Sequence, residues 1–280
     1  MGNKKRILVV EKDTCAAAAA ARLLEPVYEV ELITDADDPI RLLKSRASDF
    51  VLMDRSLLEE QLTRITQLQR DIIITMANLI EGRDGTTGEH IKRTSIYVEL
   101  LVEKLLERGI YADVLTHRFA SNLIQAAPMH DIGKITIPDR ILQKPAQLTT
   151  DEFQRMKDHA AAGGVLLQEN MNTIVDTEFL RIVVNVASFH HERWDGSGYP
   201  NGLAGEEIPL EARIMAVADV FDALVSKRQY KRAMPVDEAL KTMRLERGAH
   251  FEPVLLDVFC GERDTLKEIV AGLEGDRKQL

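Results

Sequence analysis

Two cysteines occur in 280 residues, Cys15 and Cys260, far apart and without a C-x-x-C partner. Neither a disulfide framework nor a cysteine zinc site is suggested, and a reducing compartment fits. Aromatic residues make up only 5% of the chain, with a single Trp. No stretch reaches the roughly eighteen apolar residues of a membrane span, and the most tempting run, CAAAAAARLL at 15–24, is Ala-rich and broken by Arg22. Basic residues are outnumbered by acids, 36 to 45, and the net charge of -9 removes any general electrostatic pull toward DNA, RNA or an anionic membrane. An anionic ligand therefore needs a local basic cluster. The opening MGNKKRILVV runs straight into a strand-like segment rather than a signal peptide, so a cytoplasmic protein is expected.

Against these scarcities stands 45% hydrophobic content, enough for a real core. ILVV with its preceding Arg6 reads as a buried strand, a helix covers roughly 14–24, EVELI at 29–33 is a second strand, PIRLLKSRA a short helix and DFVLM at 49–53 a third strand. This small βαβαβ region, taken as 1–57, carries Glu11-Lys12-Asp13 and Asp54 at strand ends and resembles the front half of a response-regulator receiver domain. Lys12 intrudes where a metal-binding acid is expected, and after Asp54 the chain passes directly into helix. Those departures favour a structural or dimerising remnant over a phosphorylation switch at Asp54.

Residues 58–82 form a connecting helix in which Leu62, Ile65, Leu68, Ile72, Met76 and Leu79 recur at spacings of three and four. Packing against the C-terminal domain and parallel pairing into a homodimer both explain the stripe. From 83 to 280 the pattern is almost entirely helical, with Thr86-x-x-Glu89 and Thr149-x-x-Glu152 as helix-opening signals and 191–209 as the most conspicuous loop. The fold class expected is mainly α.

Seven histidines are the candidates for chemistry: His90, His117, His130, His159, His190, His191 and His250. His130-Asp131 ends an apolar helix and is followed by Ile-Gly-Lys. Imidazole plus carboxylate is a metal-binding pair, Gly133 lets backbone approach a ligand, and Lys134 supplies a charge; an Asp131–Lys134 ion pair is the plainer alternative. His159 sits on an otherwise apolar helix face. His190 and His191 cannot both face one way in a regular helix, so they are expected at a helix end, aimed at two different ions. Asp219 and Asp222 share one face of an apolar helix, where burial without partners is costly. Downstream, Arg228, Lys231 and Arg232 form the local basic cluster, or else a solvated helix end. His191-Glu192-x-x-Asp195 lacks the second His of a zinc-protease helix.

Taken together, HDIGK at 130–134, IPDRILQKPAQLT, the helical His159, HHERWDGSGYPNGL at 190–203 and ADVFDALVSKRQYK at 218–231 resemble the HD-GYP family of HD-superfamily phosphohydrolases over roughly residues 70–260. The resemblance implies an all-helical catalytic bundle and a bacterial phosphodiesterase that opens cyclic di-GMP to linear pGpG, in some members onward to GMP. It implies metal ligands at His90, His130, Asp131, His159, His190, His191 and Asp219, with Asp131 bridging two divalent ions, iron or manganese. Lys134, Arg228 and Lys231 would hold phosphate oxygens, and Asp222 would orient the nucleophile or shuttle its proton. Some members add a glutamate four residues before the first His; Thr86 stands there, so two ions rather than three are expected. A cyclic di-GMP sensor that does not turn over, or a phosphohydrolase of another nucleotide such as cyclic GMP-AMP, are the competing readings, and a signalling protein partner remains open.

Overall fold

The computed structural model describes residues 4–34, 48–84, 89–172, 176–226 and 233–276. The helix expected at PIRLLKSRA, the Thr86 signal and the basic residues Arg228, Lys231 and Arg232 lie outside them. The chain divides into two units, Met1–Arg70 and Asp71–Leu280.

In the first unit a three-stranded parallel sheet runs in the order β2-β1-β3, with β1 Arg6–Val10 central, β2 Glu29–Ile33 and β3 Phe50–Met53. The continuous apolar run of β1 suits a central strand, and Leu8 and Val10 bury with Ile33 against Met53. The acids at the strand ends serve local structure: Asp13 caps α1, Thr14–Leu24, by accepting from Cys15 N and Ala16 N. Asp54 accepts from the backbone N–H and hydroxyl of Ser56. Lys12 pairs with Glu60 at 2.9 Å.

One helix, α2, spans Arg55–Glu81. The stripe singled out in the sequence stays in solvent, Leu79 being 70% exposed and Met76 52%. The face that is buried is offset by one position: Ile73, Ala77, Ile80 and Glu81, at i, i+4, i+7 and i+8.

The second unit is helical, as its 3.6-residue patterns imply. After α2 come α3 Glu89–Glu107, α4 His117–Ala126, the short α5 Asp139–Leu142, α6 Thr150–Met171, α7 Thr177–Phe189, α8 Leu210–Val225, α9 Val236–Leu245, α10 Pro253–Gly261 and α11 Arg263–Asp276. Starts follow capping chemistry: Thr116 accepts from Phe119 N, Thr149 and Glu152 form a reciprocal capping box, and Asp176 accepts from Glu178 N and Phe179 N. One contiguous core joins α3, α4, α7 and α8, where Phe221 meets Tyr97 and Phe259 edge to face.

Two close approaches set the geometry around the histidines. A Cβ on Gly164 would fall 1.9 Å from Ser188 Oγ, and one on Gly163 would be 3.4 Å from Ala187 Cβ, so α6 and α7 pass close just where His159 and His190 follow or precede. A Cβ on Gly133 would lie 1.9 Å from the His159 carbonyl oxygen and 2.5 Å from Gly163 N. Gly133 thus admits α6 backbone, not a ligand as its place in HDIGK suggests.

The loop 191–209 is braced from the far end of the unit: Trp194 N and Asp195 N donate to the carbonyls of His250 and Ala249. Burial, with Arg193 nearby, lowers the His250 imidazole to about 4. Its folded value lies below the unfolded one, so its contribution to stability is full above about pH 6.5 and is lost as pH falls toward about 4. Comparing denaturant unfolding of His250→Gln and wild type across that window is expected to show the variant losing less stability on acidification, by up to about 3 kcal/mol.

Candidate metal centre

Four histidines are oriented the same way. His130 Nδ1 lies 2.9 Å from the Ala127 carbonyl, His159 Nδ1 2.7 Å from Met156, and His190 Nδ1 3.0 Å from Val186 and 3.1 Å from Ala187. In each case the ring folds back on a carbonyl three or four residues earlier in its own helix or turn. His90, the second residue of α3, instead donates Nδ1–H to Asp222 Oδ2 at 2.7 Å. Carbonyls and carboxylates only accept, so these partners place the neutral ring's proton on Nδ1 and leave a lone pair on Nε2.

The Nε2 atoms converge. His90 Nε2 is 3.3 Å from His130 Nε2, which is 3.3 Å from Asp131 Oδ2. Asp131 Oδ1 is 3.2 Å from His159 Nε2 and 3.8 Å from His190 Nε2. Among the described residues, two sets of donors lie within 4.8 Å of one another: Asp131, His159, His190 and His191, and His90, His130 and Asp131. Asp131 belongs to both. Lone pairs aimed at one another and at a carboxylate repel unless a cation lies between them, and buried His159 Nε2 and His190 Nε2 make no hydrogen bond with a described residue. A nitrogen-rich set sharing one carboxylate fits a pair of divalent metal ions.

The charges of the cluster balance about Asp131. Burial alone raises that carboxyl, but Lys134, with Nζ 2.9 Å from Oδ2, and His130 hold it well below the usual carboxylate range. Burial disfavours charge on His130, yet Asp131 outweighs it and the imidazole rises to about 9. His190 is pushed down to about 3 by burial and by His130, and His191 falls well below its ordinary value through burial and His190. A proton on His130 and a metal cation answer the same field and compete for it.

Several expectations change with this geometry. His190 and His191, expected to aim at two different ions, both enter the set of Asp131 and His159. Lys134 is the ion-pair partner of Asp131. Asp222 is only 1% exposed, and its oxygens are taken by His90, by Arg93 Nε at 2.5 Å and Nη2 at 3.0 Å, and by Ser226 Oγ at 3.1 Å. The carboxylate expected to orient a nucleophile or shuttle its proton is thus committed to His90, Arg93 and Ser226. Asp219 stands at the edge of the cluster, its Oδ1 3.7 Å from His90 Nε2. His117 opens α4 in solvent, away from the cluster.

Beyond His191 the chain turns on Glu192, whose buried carboxylate accepts from Asn201 N at 2.7 Å and Leu203 N at 3.1 Å. Gly196 has φ +81°, whereas Gly198 is required by close approach: a Cβ there would sit 2.4 Å from Arg193 N. The Tyr199–Pro200 peptide is cis, and the Tyr199 ring lies over His191 with centroids 4.7 Å apart. Trp194 faces Arg213 instead.

A family model described as HD domain matches residues 56–255. This chain belongs to the HD domain family. Within it, a Vibrio cholerae protein named probable cyclic di-GMP phosphodiesterase is 41% identical over 81% of this chain and 53% of its own length. The cyclic di-GMP phosphodiesterase response regulator RpfG of Xanthomonas campestris is 39% identical over 88% of this chain and 62% of its own. The HD-domain chain thus spans about half the length of the curated relatives it matches. A solved cyclic GMP-AMP specific phosphodiesterase from Vibrio cholerae shares the fold at TM-score 0.51 and 19% identity, over 73% of this chain and 50% of that one.

Two residues of the site escape sequence reading. Arg93, one turn beyond His90, neutralises Asp222. Glu81 is 2% exposed, with Oε1 3.6 Å from His90 Nε2. Its signal was present in the stripe Ile73, Ala77, Ile80, which points the end of α2 inward. Asp222→Asn strips Arg93 of a buried counter-charge and weakens the hold on His90. Denaturant unfolding of the metal-free variant is expected to show a loss of about 3–5 kcal/mol, and manganese titration a 10- to 100-fold weaker affinity, on the order found for such supporting groups.

Proposed function

We propose that this HD-domain chain is a metal-dependent phosphodiesterase that opens cyclic di-GMP to linear pGpG, with onward hydrolysis to GMP as the next step such chemistry allows. The observation that carries the reading is Asp131 shared between two sets of convergent imidazoles. The names of the relatives support the substrate class: cyclic di-GMP for the two above, and 3'3'-cGAMP for another Vibrio cholerae protein, 35% identical over 75% of this chain.

On this reading His90, His130, Asp131 and Asp219 hold one ion and Asp131, His159, His190 and His191 the other, with iron or manganese suited to the mixed nitrogen and carboxylate set. Divalent ions held there would polarise a phosphodiester and bring the pKa of water toward neutrality. The protein's own groups do the rest. Asp222 and the backbone carbonyls keep the Nδ1–H groups of His90, His130, His159 and His190 occupied, so those four rings stay aimed at the centre. Lys134 keeps Asp131 ionised and offers a positive charge beside it to a nonbridging phosphate oxygen. Arg228 and Lys231, in the basic run that follows Ser226 in sequence, are assigned to the outer phosphates of the dinucleotide. Tyr199, braced on His191, closes one side of the cluster. The N-terminal unit is assigned a signalling or dimerising role, with the exposed stripe of α2 as the surface for a second copy.

The reading is tested by loading purified protein with iron or manganese and following cyclic di-GMP, pGpG and GMP by chromatography. Turnover that disappears in Asp131→Asn, with helical circular dichroism retained, is the expected outcome. No turnover of cyclic di-GMP by wild type sinks the assignment, and faster turnover of 3'3'-cGAMP in the same panel moves the substrate to that nucleotide.

A further inference from the structure

Glu81 is the last residue of α2, and three buried apolar residues on its own helix, Ile73, Ala77 and Ile80, hold that face against the core. A carboxylate in such a place is costly unless it meets positive charge. Its side chain is 3% exposed and its Oε1 lies 3.6 Å from His90 Nε2. Around that same nitrogen stand His130 Nε2 at 3.3 Å and Asp219 Oδ1 at 3.7 Å.

These separations have a geometric meaning. Two donors each about 2.1 Å from one ion, subtending about 90–120°, stand roughly 3.0–3.6 Å apart. His130 and Glu81 fall in that span from His90, and Asp219 lies just outside it. His90 Nδ1–H is committed to Asp222, so its Nε2 lone pair faces these three groups. The donor set is imidazole, imidazole and two carboxylates, completed by Asp131, which is already shared with the neighbouring set.

We propose that Glu81 is a ligand of the metal ion held by His90, so that this ion takes a carboxylate from α2 in addition to Asp131 and Asp219. The assignment rests on the metal-centre reading above but not on the identity of the substrate.

The test counts ions on the full chain. Wild type, Glu81→Gln and Glu81→Asp are dialysed against buffered free manganese, and bound metal per chain is measured together with the visible spectrum of the cobalt-loaded forms. Gln keeps the size and removes the charge; Asp keeps the charge and withdraws it by one methylene. Wild type is expected to hold two ions. Both variants are expected to hold one at the free manganese that saturates wild type, to need about tenfold more or higher for the second, and to shift the cobalt bands. Unchanged circular dichroism and melting of the metal-free variants show that the loss is not unfolding. Glu81→Asp holding two ions with the wild-type cobalt spectrum overturns the proposal, because charge without contact is then sufficient. Wild type that binds fewer than two ions overturns it as well, and that result is separable from failure of the phosphodiesterase reading because no substrate is present.

Discussion

The site depends on one repeated hydrogen bond, Nδ1–H of an imidazole donated to an oxygen that can only accept. His130, His159 and His190 make it to carbonyls of their own helical turns, and His90 makes it to Asp222. Once that proton is fixed, each Nε2 lone pair has one direction left, and helix packing points all four toward Asp131. The cost of gathering these donors, mutual repulsion of lone pairs around a buried carboxylate, is offset by Lys134 and Arg93 at the margins of the cluster.

Much of this was legible in the sequence. His130, Asp131, His159, the His190-His191 pair and the two acids of α8 stood out because each meets an apolar helical pattern with a side chain that burial would otherwise penalise, whereas His90 came only with the family resemblance. What sequence could not give was the partner of each group. Asp222 reads as an acid beside Asp219 and so invites a role in proton transfer; only the structure shows it enclosed by His90, Arg93 and Ser226. His190 and His191 differ by about 100° on an ideal helix, yet α7 ends at Phe189, just before them, and both reach one set of donors. Glu81 was missed because α2 carries two apolar stripes one residue apart, and the longer, more regular one is the one in solvent.

The fold was legible at the level of class and, for β1, β2 and α1, nearly to the residue. The parallel order with β1 central follows from its unbroken apolar run. The acids at the strand ends illustrate the limit of motif reading: Asp13 and Asp54 resemble parts of a phosphorylation site by position, while their hydrogen bonds are those of helix and turn capping. Position along the chain does not distinguish the two uses, because both want a short acid just after a strand.

Gly133 rests directly on the backbone of His159 and Gly163, with no side chain intervening. The spacing between the HD pair and the third histidine is thus set main chain to main chain. Apolar residues elsewhere in the bundle can exchange size and shape, and the helices can settle by fractions of an ångström, without altering that separation. Drift in the core is decoupled from the geometry of the centre, and the freedom to vary is purchased at two or three positions where not even a methyl group is tolerated.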